Sequence, residues 1–452
     1  MVPFAVVADD LTGAGDSGVQ FALAGLPTRL VLGDRPVAGG PRVAVCSTDS
    51  RAVPASVAYE RVRAAVAAMR VLGTTEVYKK IDSTLRGNLG AEIDAVLDEI
   101  PGACAVVCPA FPAAGRTVMD GYLLVGGQPV SATAIARDPA TPVTESFIPA
   151  VIAQQSGRRF GQVRLDLLSG SPALAADAMN RLLADGAEVL VVDAVSEADL
   201  SCVVTASRQL SRRAVLVGSA GLAAPLAGHW AALAGTAPRD TQVLEPGTPG
   251  PDRMVPAGGK VLAVVGSVHP ATRAQLDLLV ERGMEAIVLD LEAALADDET
   301  WARWRDQAAR RLGEALRRSD RDVVLTTPGT PEDIAEARRL ARRYGNDPAK
   351  VPRLLAGRLA EVARAAAAGA YAGTWVTGLV VTGGDTAAMV LTGLGADGID
   401  LVGEVEPGVP AGRLAGGEMD GLPVVTKAGG FGGRDALWRA VSYLRGTSAL
   451  PR

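Results

Sequence analysis

The 452-residue chain is short of several residue types, and each shortage excludes something. It has two histidines, His229 and His269, and four cysteines, Cys46, Cys104, Cys108 and Cys202, with no CxxC pair among them. A His/Cys zinc site and a histidine-based nucleophilic triad are therefore not expected, and a catalytic base is expected to be a carboxylate. Three of the cysteines sit in apolar, strand-like contexts, which reads as buried free thiols in a reducing compartment. No run of 18 apolar residues is free of charges or breakers, so no membrane-spanning helix is expected. The start, Met1-Val2-Pro3-Phe4, has neither the basic region nor the small-residue cleavage site of a signal peptide, and the cytoplasm is the expected location. There is no basic excess: the net charge is −5, and no basic stripe marks a nucleic-acid partner. Two nucleotide motifs are also missing. No GxxxxGK[ST] occurs, which excludes a P-loop enzyme, and no GxGxxG follows the first strand, which argues against a dinucleotide oxidoreductase.

What the chain does have is alternation. Short β-branched runs such as Phe4–Ala8, Arg42–Cys46, Val77–Ile81, Cys104–Cys108, Val189–Asp193 and Ala214–Gly218 are separated by amphipathic, alanine-rich stretches. The same rhythm returns in Val261–Val265, Ala286–Leu289, Asp322–Thr326, Leu379–Thr382 and Leu422–Thr426. This predicts an α/β fold with mainly parallel sheets flanked by helices. The length suits two domains. Between Gly235 and Gly259, five prolines and several glycines interrupt every periodic pattern. The expected division is residues 1–236, a linker over 237–259, and residues 260–452. The alanine-rich stretch Ala360–Ala372 reads as a packed helix.

In open α/β sheets ligands sit at the carboxyl ends of strands, and the polar clusters of this chain follow its predicted strands. Asp9 and Asp10 close the first strand and lead into a glycine-containing turn. Adjacent carboxylates need a cation, hydroxyls or solvent to stay ionised. The alternative is that one caps the next helix and the other is solvated. Arg51 follows the second strand and offers a planar fork for a carboxylate or phosphate. Lys79-Lys80-Ile81-Asp82-Ser83-Thr84-Leu85-Arg86-Gly87-Asn88 packs cations, hydroxyls and a carboxylate into ten residues. Only five lysines occur in the chain, so a Lys-Lys pair at a strand end is unusual here, and the mixture suits an anionic, polyhydroxylated ligand. Arg116-Thr117 could bind an acid group, with a proline-stiffened surface loop as the alternative. In the second half, Gly266-Ser267, Gly383-Gly384-Asp385-Thr386 and Ala428-Gly429-Gly430 each follow a strand. Glycines let backbone approach a phosphate and helix starts supply N–H donors, so together these turns suggest a nucleotide cradle.

In this order and spacing, Ala8-Asp9-Asp10-Leu11-Thr12-Gly13-Ala14, Asp49-Ser50-Arg51 and Lys80-Ile81-Asp82-Ser83-Thr84-Leu85-Arg86-Gly87-Asn88 resemble the N-terminal domain of the four-carbon acid sugar kinase family. Gly266-Ser267, Thr382-Gly383-Gly384-Asp385-Thr386 and Lys427-Ala428-Gly429-Gly430-Phe431-Gly432 resemble its C-terminal domain. Val268-His269 and Gly430 depart from the family pattern. The resemblance implies a sugar-acid-binding N-terminal domain, a nucleotide-binding C-terminal domain and an active site in the interdomain cleft. It implies phosphorylation of a four-carbon acid by ATP with Mg²⁺. The form of the first cluster is similar to the branch that makes D-threonate 4-phosphate. D-erythronate, L-threonate and 3-oxo-tetronate are the alternatives, and a non-catalytic sugar-acid sensor is another. Carried over by motif, Asp9, Asp10, Arg51, Lys80, Asp82 and Arg86 would face the acid, with Asp10, Asp82 and Arg86 catalytic and either aspartate taking the proton. Ser267, Gly383, Gly384, Asp385, Thr386 and Gly429 would contact ATP, and no residue is assigned to the metal. The expected partners are these small molecules, with a homodimer allowed.

Overall fold

The computed structural model of the chain describes residues 3–33, 42–138, 141–168, 170–236, 259–318, 321–368 and 376–446. They fall into two compact units. One holds the described residues up to Leu30 and from Arg42 to Thr236; the other holds those from Gly259 to Gly446 together with 31–33. Nearly all of the expected linker, residues 237–258, lies outside the described residues.

The strands of the first unit are β1 (Phe4–Ala8), β2 (Thr28–Val31), β3 (Val43–Ser47), β4 (Glu76–Lys80), β5 (Cys104–Cys108), β6 (Arg116–Met119), β7 (Tyr122–Val125), β8 (Gln128–Pro129), β9 (Phe160–Val163), β10 (Val189–Val192) and β11 (Ala214–Gly218). Within its main sheet they run in the order β2-β3-β1-β4-β11-β5-β10-β9. β1 pairs in parallel with β3 and β4, β11 with β4 and β5, and β10 with β5 and β9. A parallel sheet is covered on both faces, so its strands read as unbroken apolar runs; β1, β5 and β10 are buried throughout. Helices Leu11–Leu23, Ala55–Val71, Leu89–Glu99 and Ala220–Ala234 are among those that connect and cover them.

The register decides where the chemistry collects. Ala8 lies level with Ser47 on one side and Lys80 on the other. The segments leaving β1, β3 and β4 therefore start side by side at one edge of the sheet.

The proline-stiffened loop expected after β5 is more than a loop. β6, β7 and β8 form a separate antiparallel sheet. Its first hairpin turns on Asp120-Gly121 and its second on Gly126-Gly127, all four with positive φ, as two-residue hairpins require.

In the second unit the strands are β12 (Val261–Val265), β13 (Glu285–Val288), β14 (Val323–Thr326), β15 (Gly378–Thr382), β16 (Gly398–Glu404), β17 (Pro410–Ala415) and β18 (Pro423–Lys427). Their order is β13-β14-β12-β15-β18-β17-β16. The pairings through β18 are parallel, and β17 and β16 add an antiparallel edge. Val261, Ala263 and Val265 of β12 pack with Val380, Val425 and helix Ala436–Arg445 in one apolar core. The helix expected over Ala360–Ala372 runs as Val351–Ala368, with residues 369–372 outside the described set. Among the described residues, no helix is long and apolar enough to cross a membrane.

Candidate functional site

At the carboxyl edge of the first unit's sheet, the six N-terminal candidates meet. Arg51 Nε donates to Asp9 Oδ2 at 2.7 Å, and Arg51 Nη2 donates to Asp10 Oδ1 at 2.6 Å. The same Nη2 lies 3.5 Å from Asp82 Oδ1. Lys80 Nζ reaches Asp9 Oδ1 and Asp10 Oδ1, each at 3.3 Å. Arg86 holds Asp82 through both of its edges, Nε to Oδ2 at 2.9 Å and Nη2 to Oδ1 at 3.0 Å. Three carboxylates thus face three cations.

Local sequence explains the placement. Asp10 caps helix Leu11–Leu23 by accepting from the Gly13 N–H at 3.0 Å, so the capping role and the cluster role coexist. Gly13 is required here because a Cβ would sit 1.8 Å from Lys80 Nζ. Asp49 and Leu85, immediately ahead of the Ser50-Arg51 and Arg86 positions, take φ of +46° and +65°. Left-handed backbone at non-glycine residues is strained and tends to gather at functional sites. The loop carrying Arg51 is tied to the end of β1 by the Ser50 N–H donating to Asp9 O, and to the start of helix Leu89–Glu99 by Asn88 Nδ2 donating to Ser50 O and Val53 O, all at 2.8–2.9 Å.

Electrostatics follow from burial against pairing. Burial pushes the Asp9 carboxyl up, but Arg51 and Lys80 outweigh it and hold the group well below the usual carboxylate range. Burial likewise opposes ionisation of Asp82, and Arg51 and Arg86 reverse it. Asp82 has no oxygen to spare: Oδ2 also accepts from the N–H groups of Thr84 and Arg86 and from the Thr84 hydroxyl.

Two neighbours differ. Asp16, on helix Leu11–Leu23, has a buried Oδ1 with no hydrogen-bond partner among the described residues, and Arg116 on β6 has a buried Nε in the same condition. Burial pushes the Asp16 carboxyl up to about 6, against the pull of Lys80 and with the push of Asp10.

The Lys-Lys pair splits. Successive strand residues face opposite sides of a sheet, so Lys80 joins the cluster while Lys79 is wholly buried on Glu92, at 2.7 Å. Lys79 is not part of a ligand surface, contrary to the reading that gave both lysines to an anion. Its partner Glu92 also accepts from Ser50 Oγ at 2.6 Å and so anchors the residue before Arg51.

In the second unit the turns after β12, β15 and β18 touch one another. A Cβ on Gly266 would lie 2.1 Å from Thr386 Oγ1, and one on Gly429 would lie 2.3 Å from Ser267 Oγ. Gly383 has φ of +99° and starts helix Gly384–Gly393 without a side-chain cap, with Asp385 in the first turn. Ser267, Gly383, Gly384, Asp385, Thr386 and Gly429 are thereby brought to one strand edge, with helix N–H groups of the kind that bind phosphate. His269 is structural: its Nδ1 accepts from the Ala271 N–H and caps helix Pro270–Glu281.

Residues not assigned to ATP hold this edge together. Arg273 donates to the carbonyls of Ser267 (2.7 Å) and Thr327 (2.8 Å). Lys427 Nζ donates to Phe431 O at 2.9 Å, and Gln275 Nε2 to Phe431 O and Gly433 O at 3.0 and 2.8 Å. Burial lowers the Lys427 ammonium to about 8, against the pull of Glu406.

Sequence reasoning passed over Asp16, Glu92, Arg273 and Gln275, which lie inside helices and acquire their roles only through packing. Arg116 was noticed but could not be placed. Among the described residues no group of three or more His, Cys, Asp or Glu side chains could hold a metal ion.

Comparison with known proteins matches two family models along the chain. Residues 4–226 match a family model described as a sugar-binding N-terminal domain, and residues 262–437 match one described as a nucleotide-binding C-terminal domain. The chain is 42% identical to a D-threonate kinase of Bordetella bronchiseptica, over 97% of each protein. It is 36% identical to a D-threonate kinase of Salmonella typhimurium, again over 97% of each. A D-erythronate kinase of Heliobacterium modesticaldum is 35% identical over 97% of this chain and 96% of its own length. A solved Salmonella typhimurium structure superposes with a TM-score of 0.77 at 25% identity, covering 97% of this chain and 99% of that one.

Proposed function

We propose, since the chain belongs to the four-carbon acid sugar kinase family, that it transfers the γ-phosphoryl group of ATP to the terminal hydroxyl of D-threonate, giving D-threonate 4-phosphate. The observation that carries this reading is the meeting of six charged groups from three strand ends in the sugar-binding unit. A second reading, D-erythronate as the acceptor, is favoured by the relative of that name at 35% identity. The order of the two follows from the higher identity to D-threonate kinases.

Phosphoryl transfer asks a protein mainly for alignment and charge neutralisation. In this reading Arg51 and Arg86 receive the acid's carboxylate or the transferring group, because planar guanidinium forks match such oxygens. Asp9 and Lys80 hold Arg51 and Asp10 in position, Asp82 orients Arg86, and Asp10 faces the acid's hydroxyls. Ser267, the Gly383–Thr386 turn and Gly429 bind ATP. Mg²⁺ carried on nucleotide phosphates needs only one or two protein carboxylates, which fits the lack of a three-residue metal cluster among the described residues. Glu406 in the nucleotide-binding unit, with a buried Oε1 that accepts no hydrogen bond among the described residues, would be its carboxylate. When bound, the ion would neutralise charge on the phosphates.

The test is ADP release with ATP, Mg²⁺ and a panel of D-threonate, L-threonate, D-erythronate and 3-oxo-tetronate. Turnover highest on D-threonate supports the first reading, highest on D-erythronate the second. Binding without turnover on any member would make the protein a sensor.

A further inference from the structure

We infer that Asp16 accepts the proton of the hydroxyl that attacks ATP, and that Arg116 binds an oxygen of the same acid molecule. The inference rests on the kinase reading above and extends its site beyond the strand-end cluster.

The first argument is by hydrogen-bond capacity. Every oxygen of Asp9 and Asp82 already accepts from an arginine or lysine, and Asp10 Oδ1 accepts from Gly13, Arg51 and Lys80. In Asp9 and Asp82 this pairing holds the charged form and makes a poor proton acceptor. Asp16 Oδ1 is buried and accepts from nothing among the described residues. Leaving a buried acceptor unmade is costly, and a substrate hydroxyl would supply the missing donor.

The second argument is position. Asp16 lies three residues beyond Gly13, so the two share a helix face, and Lys80 Nζ occupies the space over Gly13. Arg116, whose Nη1 donates to the Ala114 carbonyl, lies within the electrostatic reach of Asp82, Arg86 and Asp16. Its Nε–H is a second buried orphan. An unmade acceptor and an unmade donor of opposite charge, flanking one cluster, suit a ligand that offers a hydroxyl proton to one and an oxygen to the other. A hydroxy acid does both.

The surroundings also suit a base. Asp16 faces Lys80 and Tyr78 from β4, Asp10 from the helix cap and Arg116 from β6. Helix Ala220–Ala234, packed on the other flank, brings no charge to it, since its one titratable residue, His229, responds to Arg208 and Glu76. A carboxyl raised to about 6 is still ionised at neutral pH and holds a proton better than an ordinary aspartate. In the step, the acid's O–H bond breaks and its proton passes to Asp16. The oxygen bonds to the γ-phosphorus as the bond to the β,γ-bridging oxygen breaks, and ADP leaves with that electron pair. Asp16 then returns the proton to solvent.

The test is kcat and KM for D-threonate from pH 5 to 8 in wild type, Asp16→Asn and Arg116→Met, with acid binding measured by calorimetry. Wild-type kcat/KM should fall about tenfold per pH unit below about 6. Asp16→Asn should lose about 10²–10⁴-fold in kcat, keep acid binding within about threefold, and lose that acid limb. Arg116→Met should raise the acid's KM about tenfold or more. The inference is overturned if Asp16→Asn keeps a third of wild-type kcat, or if Arg116→Met leaves KM unchanged. A wild-type kcat/KM flat between pH 5 and 8 overturns it without any variant, even where Asp16→Asn does not fold. Failure of the kinase reading looks different: wild type then turns over no acid in the panel.

Discussion

Replacing Lys79 by methionine would expose how much the acid site owes to the pair beneath it. Lys79 and Glu92 are essentially without solvent exposure and lie 2.7 Å apart. Methionine refills most of the stem's volume, so the change mainly removes a charge. Glu92 is then left with Ser50 Oγ as its side-chain donor. A buried carboxylate without its cation can stay charged or take up a proton. At pH 7 the second route costs about 1.4 kcal/mol per pH unit over the roughly 2.7 units above an unfolded glutamate's pKa of about 4.3, or about 4 kcal/mol. That sets a ceiling on the penalty and agrees with the ~3–5 kcal/mol typical of breaking a buried pair from one side. Burial already pushes Glu92 up in the intact pair, against the pull of Lys79, and without the lysine it rises further. A group with a raised folded pKa favours the folded state fully below its unfolded pKa and loses that contribution as pH climbs toward the folded one. The variant's deficit against wild type should therefore shrink on acidification, to about 1 kcal/mol at pH 5. Urea unfolding at pH 5, 6, 7 and 8 reads this directly. A deficit under about 1 kcal/mol at pH 7, or one that does not change with pH, would refute the reasoning.

Other perturbations separate the two units. Gly266→Ala puts a Cβ 2.1 Å from Thr386 Oγ1, so ATP affinity should drop about tenfold or more while D-threonate binding by calorimetry is unchanged; unaltered ATP affinity would remove the β12 turn from the nucleotide site. Arg51→Lys keeps the charge but loses the fork that spans Asp9 and Asp10, and KM for the acid should rise about tenfold or more. Asp82→Asn and Arg86→Ala should each cut turnover about a hundredfold or more, and near-normal kcat in both would show that neither belongs to the reacting site.

The sheets were legible because their strands are unbroken apolar runs. β1, β5, β11 and β12 fall within a residue of where those runs predict them. Helix Leu11–Leu23 takes up the glycine-containing turn expected after Asp10, since Asp10 caps it and Gly13 and Ala14 are buried in its first turns. The strand-end clusters were legible for a related reason, as parallel topology carries every such loop to one edge. Lys79 misled because composition says nothing about which face a strand residue takes. β6 and β7 were hidden by short length and a nearby proline, although Asp120-Gly121 and Gly126-Gly127 were hairpin signals in plain view. Asp16 could not be singled out because its orphaned oxygen is created by distant elements, β4 and β6 among them, closing over an ordinary helix position.

The central claim concerns where a phosphoryl group goes, and ³¹P NMR of a reaction with ATP, Mg²⁺ and D-threonate observes that destination. The account predicts that ATP is replaced by ADP and, in equal amount, by one phosphomonoester whose phosphorus couples to two equivalent-order protons, as expected for a phosphate on a terminal CH₂. Inorganic phosphate in place of the ester, an ester coupled to a single proton, or ATP left intact would contradict it.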